Sequence, residues 1–281
     1  MKPKVNKFTK AILFVLAVVM VLGLLPATLV SSMDYVIPIT TAEEFLAIMD
    51  APDRSYRLEN NIDLGTITPL GYQPGQNTVT AFTGALDGNG YTVSYTMNPV
   101  AEMPLYGLFA KLDGVNISNL NVNGKIHADI SVRKAHSVAI VAGSAYNSTI
   151  GGGTISGEIK VTGTTGRVYV STVVENTDST TISHVQIKAD TQMDLGGNLY
   201  GYYYGIGTAI NEHCWVEGSV QFSGDVRGIY VITNGNNCHA TLPITLHANG
   251  YQPSVIAISG GTNNYYSGNI EVYSNDTPPI R

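Results

Sequence analysis

Ile126-His127-Ala128, Ile159-Lys160-Val161, Val185-Gln186-Ile187, Val220-Gln221-Phe222, Ile244-Thr245-Leu246 and Ile270-Glu271-Val272 repeat one figure: apolar, polar, apolar. Their first residues lie 33, 26, 35, 24 and 26 positions apart. Alternation with period two is what a strand with one buried face requires, and helical spacing does not fit it. Recurrence at about 24 residues, with looser insertions, marks a coil of short strands in which each turn covers its apolar face only by stacking on the next.

Two further strand columns flank this one. The first carries Ile117, Ile150, Ile182, Cys214 and Cys238; the other runs through 138–141, 168–170, 202–206, 229–232 and 255–258. Three strands per turn and about seven to nine turns, each about 4.8 Å thick, predict a rod of roughly 35–45 Å. Composition agrees: 30 Gly and 17 Tyr with only 13% charged residues suit an all-β chain rich in turns.

The coil needs a start. Residues 34–56 read as a cap, with Thr40 as N-cap, Glu43 three residues on, and Phe45, Leu46 and Met49 as an apolar stripe ending before Pro52. Such a helix would cover the apolar end and free edge of the first turn. Strands follow at Tyr56-Arg57-Leu58 and Ile62-Asp63-Leu64. Asp87-Gly88-Asn89-Gly90 reads as a turn leading into Tyr91-Thr92-Val93. Residues 71–80 read as a surface loop.

Several phrases in this region resemble GLUG-motif repeats: Leu58-Glu59-Asn60-Asn61-Ile62-Asp63-Leu64-Gly65, Thr68-Pro69-Leu70-Gly71, Phe82-Thr83-Gly84-Ala85-Leu86-Asp87-Gly88-Asn89-Gly90, and the stretch 106–122 beginning Tyr106-Gly107-Leu108-Phe109. The resemblance covers roughly residues 36–125 and fades beyond. GLUG-type repeats occur in bacterial and archaeal surface proteins, including non-catalytic N-terminal regions of IgA-specific metallopeptidases. The resemblance implies an all-β, right-handed single-stranded parallel β-helix with a short N-terminal capping helix. It brings no peptidase with it, because His-Glu-x-x-His is nowhere in the chain.

The N-terminus reads as a secretory signal. Lys2, Lys4, Lys7 and Lys10 precede an uncharged apolar run over 11–25, then Pro26 and small residues up to Ser32, the expected cleavage point. Extended to Val30 the run would also serve as an uncleaved anchor. Either way the rest is expected outside the cytoplasm, secreted or at the cell surface. The domain reading is therefore 1–32 signal peptide, 33–56 cap, 57–275 parallel β-helix and 276–281 a linker-like tail, after which further domains could follow. Without the four signal lysines, 11 basic residues face 21 acidic ones, a net charge of −10. That field repels phosphates and argues against nucleic-acid partners.

Candidate chemistry is sparse. Cys214 and Cys238 occupy equivalent places in successive turns and suggest either a disulfide or a reduced apolar stack. Their neighbours His213 and His239 should point to the opposite side, so no zinc set closes. Asp190 with Asp194, and Glu212 with Glu217, are the nearest carboxylate pairs, and they fall in turns where solvated acids are ordinary. No catalytic residues, metal ligands or cofactor are assigned. In the cluster Tyr200, Tyr202, Tyr203 and Tyr204, alternation puts one subset outside, and Tyr200 and Tyr203 are the expected ligand-facing rings. A non-enzymatic, adhesin-like module binding a surface glycan or protein over an extended face is the reading that follows. A polysaccharide lyase or glycoside hydrolase on the same scaffold is the alternative.

Overall fold

The computed structural model describes residues 35–73, 78–98, 103–248 and 254–274. The signal segment and the tail lie outside the described residues. Strands from Ile37–Ile39 to Ile270–Ser274 wind as a parallel β-helix of about seven turns, with one short helix near the N-terminus.

Five of the six apolar-polar-apolar figures stack in register. Ile126 pairs with Ile159, Val220 with Ile244, and Ile244 with Ile270 along one inward column. Val185-Gln186-Ile187 does not belong to that column: Gln186 pairs with Thr154 and Trp215, one corner earlier in the turn. The missing member is Thr191-Gln192-Met193, with Thr191 between Ile159 and Val220. Its hydroxyl-bearing side chain is buried, so an apolar pattern passes over it.

A second column is corrected in the same way. Ile117, Ile150 and Ile182 stack as expected, but Asn211 follows Ile182, and Gly235 follows Asn211. Cys214 and Cys238 continue instead below Val185, since Gln186, Trp215 and His239 share one register. The third column holds, running Val138, Val170, Tyr203, Ile229 and Val255.

Between the first two columns the chain bends at one repeated point. Asn119, Gly152, His184, His213, Asn237 and Asn263 all sit there with φ of 51°, 70°, 56°, 51°, 54° and 55°. Their amides bond in series down the coil, Asn119 to Gly151, Gly152 to Ser183, His184 to Glu212, His213 to Asn236 and Asn237 to Thr262. Left-handed backbone favours Gly and Asn, with His also enriched there. Asparagine side chains extend the ladder: Asn263 Nδ2 donates to Asn237 Oδ1 (3.2 Å), and the Thr262 amide and hydroxyl to Asn236 Oδ1.

The cap is displaced by one residue from the sequence reading. Helix α1 spans Ala42–Leu46 with Thr41 as N-cap and Glu44 closing the box. Glu44 wins because its carboxylate accepts from the amides of both Thr40 (2.6 Å) and Thr41 (3.1 Å). Phe45 and, in the 3-10 turn Ala47–Asp50, Ile48 are fully buried, whereas Leu46 is exposed. Phe45 lies 6.4 Å from Phe109, which stacks on Phe82 at 5.3 Å, so the helix closes the first turns with aromatic packing. The stretch expected as a plain loop contains a small antiparallel pair, Tyr72–Gln73 with Thr78–Val79.

Candidate functional site: an arginine-tyrosine face

Three successive turns differ in length at one place, after the long strand and before the third column. Opposite Leu195 and Tyr200, which are five residues apart, the next turn offers only the adjacent pair Gly224 and Asp225. Residues 196–199 therefore overhang that turn. Gly197 makes the bend possible: its φ is +58°, and a Cβ there would stand 2.5 Å from the Thr164 carbonyl oxygen. A similar step between Gly163 and Thr165 and the loop at 131–134 complete an open cleft of about 380 Å³, lined by Arg133, Lys134, Thr165, Arg167, Asn198 and Tyr200.

The backbone fixes the order of these groups. Ala135, Arg167, Tyr200 and Asp225 are register neighbours in four consecutive turns. The Arg167 amide donates to the Lys134 carbonyl (3.1 Å), and buried His136 meets the Met103 carbonyl through Nδ1 (2.8 Å), which pins the loop's far end.

Tyrosines hold the arginines in place. Arg167 Nε donates to the Tyr200 hydroxyl (2.6 Å) and its Nη1 to the Tyr169 hydroxyl (3.0 Å). Arg227 lies over the Tyr200 ring and pairs with Asp225 at 3.1 Å. Tyr169 stacks on Tyr202 at 5.3 Å, and Tyr204 on Tyr230 at 5.2 Å, so outward rings run along the coil axis. The phenol bonds of Tyr169 and Tyr200 push the Arg167 guanidinium further above its ordinary value, so it stays charged.

The sequence reading placed Tyr200 here but misplaced Tyr203. Tyr203 is 1% exposed and packs against Phe222 inside the coil (5.3 Å), because it shares the inward column of Val170 and Ile229. Burial pushes its phenol upward, opposed by the hydroxyls of Thr172 and Thr191. The outward members are Tyr202 and Tyr204. Sequence reasoning also passed over Arg133, Lys134, Arg167 and Arg227. The available signal was positional: Arg133, Arg167 and Tyr200 recur at close to one turn's spacing.

The other candidates scatter. Asp190 and Asp194 lie on a strand's outer face, not in turns, and accept from Ser219 (2.6 Å) and Ser223 (2.7 Å). Cys214 and Cys238 are buried and unbridged; the neighbouring thiol and burial push Cys214 upward. His213 stacks on His184 at 4.9 Å, while His239 packs between Trp215 and Tyr265, so the imidazoles and thiols do not converge. Among the described residues no three His, Cys, Asp or Glu side chains gather as a metal set. A buried acid is present in Glu175, whose Oε2 accepts from Ser137 Oγ (2.7 Å) and which burial raises to about 7.

No protein-family model and no curated protein matches the chain. One solved structure is similar, described as a "putative immunoglobulin A1 protease from Bacteroides ovatus": 15% of residues are identical, 89% of this chain and 80% of that one are covered, and the TM-score is 0.50. At that identity the likeness is one of fold, and it places this chain among parallel β-solenoids.

Proposed function

We propose that the chain is an exported, non-enzymatic β-helix module that binds a surface glycan or protein through its arginine-tyrosine face, in the manner of an adhesin. The observation that carries this is the stacking of half-exposed rings Tyr169 on Tyr202, next to guanidinium groups already fixed by phenol hydrogen bonds. Rigid aromatic area and preset donors cost little entropy on binding. Export rests on the lysine-led apolar run at 1–32. The similar solved structure carries the name of a protease acting on an immunoglobulin, which is compatible with a surface setting for such coils.

The test is an array of glycans and extracellular proteins probed with the purified chain and with Tyr169→Ala/Tyr202→Ala. Retention on some ligand, lost in the double variant while it still folds with a melting temperature within several degrees of the parent's, is expected. Undiminished binding by the double variant would remove this face from the proposal. Recovery of the native protein from the cytoplasm alone would remove export.

A further inference from the structure

We infer that the cleft between the 131–134 loop and the 196–199 overhang receives the carboxylate of an acidic saccharide, a uronic or sialic acid unit. Arg167 would be the charge-reading group, with Asn198 and Thr165 placed for sugar hydroxyls. This deepens, and rests on, the binding-module reading above.

The first support is an uncompensated cation. In a chain with 21 acidic residues, Arg167 forms no ion pair among the described residues, and its hydrogen bonds go to two neutral phenols. Arg57, Lys111 and Arg227, by contrast, each pair with an acid two residues away. A guanidinium has five N–H donors, and two are spent on Tyr200 and Tyr169. The remaining donors stay in a planar, oriented group suited to a carboxylate.

The second support is the setting. Exposed Arg133 lines the same cleft, adding positive charge on the side away from Tyr200. The volume of about 380 Å³ lies at the small end of the range for small-molecule clefts and suits a short saccharide. Asn198 and Thr165 supply an amide and a hydroxyl, the polar groups that sugar hydroxyls use, and Tyr200 lines the same cleft. Polyphosphates and nucleic acids fit poorly, since a net charge of −10 outside the signal segment opposes a highly charged ligand while allowing a single carboxylate.

The experiment is calorimetric titration of the purified chain with 3′-sialyllactose, trigalacturonic acid, lactose and lactose 3′-sulfate, at low and physiological salt. At least one carboxylated ligand is expected to bind tenfold or more tighter than lactose, with salt weakening the difference. Arg167→Gln should abolish that preference. Arg133→Gln changes an exposed side chain with no side-chain hydrogen bond among the described residues, so it keeps the test valid if Arg167→Gln misfolds; it should cut the preference several-fold. Lys188→Gln, on another face, should leave it unchanged. Equal binding of lactose, or equal or tighter binding of the sulfate, would overturn the carboxylate assignment. If no titrated saccharide binds while the arrays still show binding lost in Tyr169→Ala/Tyr202→Ala, this inference falls and the binding-module reading stands. If the arrays are blank as well, both fall.

Discussion

The guanidinium carbon of Arg227 lies 3.7 Å from the centre of the Tyr200 ring, and the hydroxyl of that same ring accepts from Arg167 Nε at 2.6 Å. One tyrosine thus positions two cations from different turns, one by its face and one by its oxygen. With a face covered by Arg227, Tyr200 serves to hold charge and is not an open stacking plate. Tyr200→Ala should release both arginines and weaken ligand binding at least tenfold, while Tyr200→Phe, which keeps the ring, should fall between. Exposed cation-π contacts contribute about 0.5–1 kcal/mol, so both variants should melt within a few degrees of the parent. Equal affinity of the Phe and Ala variants, measured by titration, would deny the ring any part in holding Arg227.

Tyr203 and Tyr202 are adjacent in sequence and opposite in consequence. Tyr203→Ala removes a buried ring packed on Phe222 and should cost about 3–5 kcal/mol in urea unfolding. Tyr202→Ala should cost under about 1.5 kcal/mol, the scale of one aromatic pair, and should act on binding instead. A reversed order would mean that the two rings had exchanged sides.

Glu175 gives the fold a pH dependence of definite sign. Its carboxyl is raised to about 7 by burial, against roughly 4.3 in an unfolded chain. Between those values the folded state holds more protons than the unfolded one, so stability falls as pH rises through the window, and the full cost is present above it. Glu175→Gln should therefore stabilise the protein by about 3–4 kcal/mol at pH 8 and leave it nearly unchanged at pH 4. Melting curves at the two pH values check this; an equal effect at both would show that the acid does not titrate in that window.

The repeated corner can be probed at Asn119, where φ is 51°. Asn119→Gly should be close to neutral. Asn119→Val places a β-branched residue in left-handed backbone and should cost about 1–3 kcal/mol in chemical denaturation. A harmless valine would argue against the bend at this position.

The sequence was readable wherever one kind of force acted alone. Period-two alternation reports burial, so five of six triplets and the whole column through Val138, Val170, Tyr203, Ile229 and Val255 stack as the spacing implies. It failed at Thr191, where a buried hydroxyl broke the apolar signal and drew the register onto Val185, and at Asn211, a buried amide in the place that the column had given to Cys214. Asn211 remains inside because its Nδ2 donates to the carbonyls of Ala209 (3.1 Å) and Thr233 (2.6 Å). Tyr203 was misassigned for a related reason. A run of tyrosines shows that sides alternate without showing which phase faces in; that phase is set by Val170 and Ile229 in the neighbouring turns. The cleft was harder still to see, since Arg133, Arg167 and Arg227 are brought together only by the pitch of the coil.

That pitch has an evolutionary side. Each of these successive turns contributes its own few groups to the arginine-tyrosine face, so the recognition surface is modular along the axis. Duplication, loss or exchange of a single turn would replace one element of specificity while the neighbouring turns kept theirs. Variants with new ligand preferences are thus reachable in small steps, each made on a scaffold that still closes its own core.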